Sequence, residues 1–156
     1  MIYKKMVTLL GVFTLSCSSL GAYDTELAKK FDGFYEKMTF EPLSKSTLIL
    51  KPDAFVEEVK KDPSIVVIDV RTSQEQAFVK SGYVHTLEIP LEELFKAKNL
   101  ERIPTDKRLV ILCHSGTRAV PAALNLKMLG FKNVQVLENG IVGMAQISSP
   151  KTCILK

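Results

Sequence analysis

The sequence contains few of the residues that build metal sites and disulfide-exchange sites. Its 156 residues include three cysteines, two histidines and no tryptophan. The cysteines form no C-x-x-C pair, which argues against a thioredoxin-like oxidoreductase. No group of histidines and cysteines has the spacing of zinc ligands. We therefore expect chemistry that uses no metal and no cofactor.

A strong excess of charge is also missing. The formal net charge is +4, and Lys4 and Lys5 supply two of these charges. The remainder is too small to indicate binding to nucleic acid or to an anionic membrane surface. Apolar residues make up 46% of the chain, which excludes a wholly disordered protein. The length suits one domain with a sizeable core.

The first 22 residues have the order of a secretory signal peptide. A basic start, residues 1–5, precedes an uncharged apolar run over residues 6–15 and then small and polar residues up to Ala22. The run, of about ten residues, is too short to span a bilayer comfortably. We therefore predict a signal peptide over residues 1–22 and a periplasmic or secreted protein. An uncleaved anchor is the alternative, and lipidation at Cys17 would make the chain a membrane-attached lipoprotein.

Apolar runs and amphipathic stretches alternate along the rest of the chain. We predict a helix and linker over residues 23–46, one domain over 47–146 and a tail over 147–156. Alternation of strands and helices predicts an α/β fold of three layers, with a central, mostly parallel sheet of about five strands. One helical turn is expected after Gly140. The predicted strands cover 47–50, 65–70, 84–89, 109–112 and 134–137, and the predicted helices cover 24–38, 52–61, 73–80, 91–97 and 117–129.

A cysteine lies where a predicted buried strand meets a predicted helix, in the sequence CHSGTR at residues 113–118. The first N–H groups of a helix have no partner within the helix. These donors and the helix dipole favour a thiolate and also suit an anionic substrate group. Asp69 and Arg71 follow another predicted strand and are expected at the same edge of the sheet. The pattern predicts Cys113 as a nucleophile.

The chain contains, in this order, Asp69-Val70-Arg71, Glu75, Gly82, Ile89-Pro90, Cys113-x-Ser115-Gly116-x-Arg118 and Gly130-Phe131-x-Asn133-Val134-x-Val136-Leu137. Taken together, these motifs resemble those of a single-domain rhodanese, which is a sulfurtransferase. The resemblance covers residues 48–143 and implies a rhodanese-like α/β domain. It implies that Cys113 takes a sulfane sulfur from thiosulfate or a persulfide and passes it to a thiol or cyanide. Partners would be small sulfur compounds, with a protein thiol as a further candidate.

The length of the cysteine loop separates sulfur transfer from phosphoryl transfer. Cys113 to Arg118 is a C-x4-R loop, one residue shorter than the C-x5-R loop of cysteine phosphatases. A shorter ring of N–H donors suits one added sulfur atom better than a tetrahedral phosphate. Two alternatives stay open. One is a low-turnover module that binds or senses persulfide, and the less favoured one is a cysteine phosphatase or arsenate-type reductase.

Several loop residues have more than one candidate role. Arg118 either contacts an anionic donor or braces the loop through a carboxylate. Glu75 is a candidate partner for an arginine. Ser115 and Thr117 either offer hydroxyls to the sulfur or cap the following helix. An unperturbed histidine is only partly charged at neutral pH, so His114 predicts weak use of doubly charged thiosulfate.

The supporting residues are expected to fix the geometry of this edge. Asp69 and Arg71 are predicted to brace it as a pair, and Gly116 is predicted to have positive φ. Cys153 is either a resolving thiol for Cys113 or an unrelated thiol of the tail.

Two departures from the family pattern predict local changes. Tyr83 stands where the family has a histidine. A turn glycine of the family pattern is also absent after it, so this edge strand is expected to be remodelled. Asn139-Gly140 replaces a pair of glycines and no tryptophan follows, although Asn139 can adopt the left-handed conformation. The C-terminal helix is therefore expected to be less well anchored.

Overall fold

The computed structural model describes residues 23–39, 41–42 and 46–149. The predicted signal peptide, Cys17 and Cys153 lie outside these residues. Within the described part of the chain, no helix has both the length and the hydropathy needed to cross a bilayer.

The chain divides into two units, residues 1–39 and residues 40–156. The first unit contains helix α1, Thr25–Tyr35, inside the helix predicted over 24–38. Asp24 caps this helix because its carboxylate accepts the N–H of Leu27 at 2.9 Å. Such a cap satisfies one of the donors that the first turn leaves free.

Strands and helices alternate through the described part of the second unit, as the apolar pattern predicts. The strands are β1 Ile49–Leu50, β2 Val66–Asp69, β3 Thr86–Glu88, β4 Leu109–Leu112 and β5 Val134–Leu137. The helices are α2 Pro52–Lys61, α3 Ser73–Phe78, α4 Leu91–Leu94, α5 Ala97–Leu100, α6 Ala119–Met128 and α7 Gly140–Ile147.

All five strands join one parallel sheet in the order β1-β5-β4-β2-β3. This arrangement confirms the predicted α/β fold and its strand number. β4 lies in the centre and all four of its residues are buried, which is why its sequence, LVIL, is apolar without alternation. The register pairs Asp69 at the end of β2 with Leu112 at the end of β4. Cys113 and Arg71 therefore follow neighbouring strands at one edge of the sheet.

Alternate strand residues contribute to two apolar clusters, one on each face of the sheet. Ile111 and Cys113 belong to the cluster that contains residues of α4 and α6. Val110 and Leu112 belong to the cluster that contains residues of α2 and α7. The sheet is thus the middle one of three layers, and alternate residues of β4 contribute side chains to both clusters.

Two helices differ from the sequence prediction. The single helix predicted over 91–97 is two short helices, because Lys96 between them has an extended backbone with ψ of 137°. The single turn expected after Gly140 is the eight-residue helix α7. Its first turn hydrogen-bonds to the cysteine loop, so this helix is attached there without a tryptophan.

Candidate active site

Cys113 lies at the carboxyl end of β4, at the start of the loop that leads into α6. Its side chain is fully buried and the cysteine is not in a disulfide. The N–H of Gly116 donates a hydrogen bond to Cys113 Sγ at 3.0 Å. The sulfur thus accepts a main-chain N–H close to the start of α6, where the first N–H groups of the helix have no partner within it.

Gly116 gives the loop the turn that directs this N–H toward the sulfur. Its φ is 97°, which confirms the prediction of positive φ and which side chains rarely tolerate. The Gly116 carbonyl accepts the N–H groups of Ala119 and Val120, both at 3.1 Å. Gly116 therefore binds the nucleophile with its N–H and starts α6 with its carbonyl.

The first turn of α7 holds the loop from the other side. The N–H of Ile141 donates to the Cys113 carbonyl at 2.9 Å, and the N–H of Val142 donates to the His114 carbonyl at 3.2 Å. Asn139 and Gly140, at the start of α7, bring the helix close to the loop and have φ of 55° and 51°. Asn139 is therefore left-handed, as expected. Sequence reasoning missed this contact, although glycine at 140 is a signal of close backbone approach.

Arg118 is held by Glu75 through two parallel hydrogen bonds. The two Arg118 Nη atoms lie 2.8 and 2.7 Å from the two Glu75 carboxylate oxygens. Glu75 also accepts the N–H of Thr72 at 2.9 Å in a capping box that begins α3. These contacts, the Arg118 guanidinium first, hold the pKa of Glu75 well below its ordinary value of 4.5. Glu75, predicted as a partner for an arginine, pairs with Arg118, and Arg118 braces the loop.

The pH range of this pair follows from the direction of the pKa shift. Because the pKa of Glu75 is lower in the folded protein than in the unfolded chain, its pairing stabilises the fold at pH values above the unfolded pKa. That contribution is lost as the pH falls through the folded pKa. The pair with Arg118 is therefore intact at neutral pH, and only strong acid removes it.

Asp69 and Arg71 form a buried ion pair beneath the loop. Arg71 Nη2 lies 2.6 Å from Asp69 Oδ2, Arg71 Nε lies 2.9 Å from Oδ1, and both side chains are about 2% exposed or less. Arg71 Nη2 also donates to the Val79 carbonyl at 2.8 Å. The Gln76 amide donates to the carbonyls of Asp69 and Arg71. The pair is thus enclosed by partners, as a bracing role requires.

The remaining loop side chains face solvent. His114, Ser115 and Thr117 are exposed. Neither Ser115 nor Thr117 caps the following helix, because Arg118 is the N-cap residue of α6 and makes no side-chain cap bond. The capping alternative for these two residues is therefore wrong, and their hydroxyls are left at the loop surface.

Tyr83, which replaces the family histidine, lies away from the loop. Its ring is buried against Phe55, and its hydroxyl donates to the Ile65 carbonyl at 2.9 Å. Burial raises the pKa of this hydroxyl. Tyr83 therefore packs at the start of β2. The nearby strand β3, predicted over 84–89, has three residues, Thr86–Glu88.

The described residues hold no group of three or more histidine, cysteine, aspartate or glutamate side chains placed to bind a metal. What the geometry offers is a single buried sulfur with a main-chain donor, held in a short loop by Glu75 and by α7. Such a group can act as a nucleophile and then as a leaving group.

Replacement of Glu75 by glutamine tests whether the ion pair withholds Arg118 from anionic substrates. Glutamine keeps the capping-box acceptor for Thr72, but it leaves Arg118 without a carboxylate. We expect the dissociation constant of thiosulfate, used as a divalent anion, to fall roughly three- to tenfold, since a freed charged donor adds about 1 kcal/mol of binding. Calorimetric titration with thiosulfate measures this constant. Glu58→Gln removes the same charge from the ion pair with Arg108, which precedes β4 at the opposite edge of the sheet, and it is the control. An unchanged dissociation constant in Glu75→Gln would contradict the role given to Glu75.

Comparison with known proteins agrees with this geometry. Residues 52–146 match the family model described as a rhodanese-like domain. The chain is 35% identical over 82 residues to a putative sulfur carrier protein, YrkF, of Bacillus subtilis, covering 53% of this chain and 42% of that one. It is 35% identical over 97 residues to a tRNA uridine(34) hydroxylase of Salmonella newport, covering 60% of this chain and 27% of that one. The chain thus spans less than half of either relative.

Among solved structures, a rhodanese-related protein from Thermoplasma volcanium has a similar fold. The TM-score is 0.56 at 26% sequence identity, and the match covers 65% of this chain and 93% of that one. The match therefore accounts for nearly the whole of a single-domain protein.

Proposed function

Because this chain belongs to the rhodanese-like domain family, we propose that it is a sulfurtransferase in which Cys113 carries a sulfane sulfur between two thiols. The observation that carries the proposal is the Gly116 N–H on Cys113 Sγ, at 3.0 Å, within a C-x4-R loop. A main-chain donor at this place stabilises negative charge on the sulfur without adding a substituent that would block it.

The reaction proceeds in two displacements. In the first, the Cys113 thiolate attacks the outer sulfur of a persulfide, R–S–SH. The Cys113 Sγ–S bond forms, the donor's S–S bond breaks, and its electron pair leaves with R–S⁻. In the second, an acceptor thiolate attacks the outer sulfur of the Cys113 persulfide, and the electron pair returns to Cys113 Sγ. The Gly116 N–H supports the sulfur as nucleophile and as leaving group.

The charges around the loop favour a persulfide donor over thiosulfate. The Arg118 guanidinium is paired with Glu75, and the Arg71 guanidinium is paired with Asp69 and buried. A doubly charged donor would find neither of these cations free, whereas a persulfide carries at most one charge. This arrangement agrees with the weak use of thiosulfate that His114 predicts.

A second candidate function is a carrier that holds the persulfide and releases it only to a specific partner. It is favoured by the likeness to a relative named as a putative sulfur carrier protein. Both candidates require the same persulfide on Cys113, and they differ in whether small acceptors discharge it.

We further propose that the protein is exported, because residues 1–22 have the signal-peptide order of basic residues, an apolar run and small residues.

Intact mass after incubation with a persulfide donor tests the proposal. We expect a gain of one sulfur atom, mapped to Cys113 by peptide analysis and removed by cyanide. A gain that cyanide and small thiols fail to remove would favour the carrier, and no gain would reject both functions. Release of phosphate from p-nitrophenyl phosphate would indicate the phosphatase alternative.

Export is tested by the intact mass of the protein from a periplasmic extract, which reports whether residues 1–22 have been removed.

A further inference from the structure

A polar cavity of about 310 Å³ lies at the edge of the sheet opposite to Cys113. Its lining includes Arg108, which directly precedes β4, and Val134, the first residue of β5. Both residues lie at the amino ends of parallel strands, whereas Cys113 follows the carboxyl end of β4. The cavity is therefore a separate site, and none of the described residues that line it belongs to the cysteine loop.

The charge of this cavity is positive. Arg108, Lys127 and Lys132 line it, and no carboxylate is found among its described lining residues. Glu58 pairs with Arg108 from outside the lining and neutralises one of the three charges. In the part of the chain that the structure describes, Lys127 and Lys132 have no carboxylate partner. Two uncompensated positive charges therefore remain at the cavity.

Arg108 is held in a fixed position at this cavity. Its Nε donates to Gln135 Oε1 at 3.2 Å, and Gln135 Nε2 donates to the Thr47 carbonyl at 2.6 Å. Glu58 binds the Nη2 group of the same guanidinium. These contacts leave Arg108 Nη1 without an acceptor among the described residues, so that the guanidinium retains an unused donor group.

Lys127, near the end of α6, is half-buried and short of partners. Within the described residues, its Nζ makes one hydrogen bond, to the Lys132 carbonyl at 3.3 Å. Burial lowers the pKa of Lys127, because its ammonium group loses water without gaining a carboxylate. The N–H groups of Lys132 and Asn133, which follow in the turn before β5, also have no acceptor in the described chain. A bound anion would supply both the missing charge and the missing acceptors.

We propose that this cavity binds a small oxyanion of the phosphate type, either free or as the phosphate group of a small ester. Lys127 and Lys132 supply the charge, and Arg108 supplies a planar donor. A metal cation is disfavoured by these charges, and an apolar ligand by the polar lining. The volume is near the lower end of the range for small-molecule pockets and leaves room for a short carbon substituent. The proposal is independent of sulfur transfer at Cys113.

The experiment is a titration of the full chain with sodium phosphate, followed by ¹H–¹⁵N spectra. Sodium chloride keeps the ionic strength constant, so that general screening does not change during the titration. The amide signals of Lys132 and Asn133 should move, with a dissociation constant on the order of 1 mM.

Two further probes distinguish the sources of the phosphate group. Glycerol 3-phosphate carries the anion on a short chain, and glycerol, which has no charge, should leave the signals in place. Tighter binding of glycerol 3-phosphate than of inorganic phosphate would assign the cavity to an ester, and equal binding would assign it to the free anion.

Variants of the two lysines place the anion in the cavity. Lys127→Gln and Lys132→Gln should each raise the dissociation constant about five- to tenfold, because each removes a charge-assisted contact. Lys51→Gln is the matched control, since Lys51 follows β1 at the other edge of the sheet and lies outside the lining. It should bind phosphate as the wild type does.

Urea unfolding in phosphate-free buffer separates binding from a structural role of Lys127. Glutamine removes a charge that nothing compensates, so Lys127→Gln should be at least as stable as the wild type without phosphate. Phosphate should then stabilise the wild type more than the variant. A loss of stability in Lys127→Gln together with unchanged phosphate binding would make Lys127 a structural residue and reject the site.

Thiosulfate is a divalent oxyanion too, so it should enter this cavity as well as the cysteine loop. The thiosulfate titrations of Glu75→Gln and Glu58→Gln therefore use protein that also carries Lys127→Gln and Lys132→Gln, in which this cavity no longer binds the anion.

The proposal would be overturned if phosphate left the amide signals of Lys132 and Asn133 unmoved, or if sodium chloride moved them equally. A dissociation constant that both lysine variants leave at the wild-type value would overturn it as well. Movement confined to the signals of residues 113–118 would assign the anion to the cysteine loop and reject the cavity as its site.

Discussion

Cys113→Ser is expected to lower the rate of sulfur transfer by a factor on the order of 10³ or more, to the background seen without protein. A serine oxygen in this loop still receives the Gly116 N–H, but it cannot form the persulfide that links the two displacements. Because serine differs from cysteine by one atom and keeps the same main chain, the loop and its contacts with α7 should persist.

The measurement is thiocyanate formation from a persulfide donor and cyanide, followed by the mass of the recovered protein. Cys113→Ser should gain no sulfur atom. Thermal unfolding of this variant should show a free energy of unfolding within about 2 kcal/mol of the wild-type value. This stability control matters because Cys113 is fully buried, so that a misfolded variant would also be inactive. Transfer that survives in a folded Cys113→Ser would refute Cys113 as the nucleophile.

The sequence predicts the sheet well because parallel strands buried on both faces leave a strong pattern. The apolar runs at 109–112 and 134–137 coincide with β4 and β5. Asp69, which follows the apolar run at 65–68, is the last residue of β2. The loop is predictable for a related reason. A cysteine between a buried strand and a helix lies beside main-chain N–H groups that have no partner within the helix, and a glycine in the loop permits the positive φ that Gly116 has.

What the sequence does not reveal is contact between distant segments. Local patterns single out Arg118 and Glu75, but they do not decide whether Arg118 contacts substrate or carboxylate. That choice depends on α3 beginning with a capping box that fixes Glu75, 43 residues earlier in the chain. α7 was underestimated because its sequence, GIVGMAQI, has two glycines, which lower helix propensity. Tertiary hydrogen bonds to Cys113 and His114 and packing against α2 stabilise it instead.

Gly140→Ala is expected to destabilise the protein by about 2–5 kcal/mol and to disturb sulfur loading at Cys113. A methyl group on Gly140 would lie 2.1 Å from the Cys113 carbonyl oxygen and 2.8 Å from the His114 carbonyl carbon. These are main-chain atoms, so no side chain can move aside to relieve the overlap. Either α7 must shift away from the loop or the Cys113–His114 peptide must move, and both remove hydrogen bonds that hold the nucleophile.

Gly82→Ala is the matched control, because it separates the overlap from the backbone conformation. Gly82 also has positive φ, 74°, but no atom lies within 4 Å of an added methyl group. It should cost only about 1–2 kcal/mol, the strain of the left-handed conformation. Urea unfolding of both variants gives the two free energies, and the rate of persulfide formation reports the loop. If Gly140→Ala were no more destabilising than Gly82→Ala and loaded sulfur at the wild-type rate, α7 would not be what holds the cysteine loop in place.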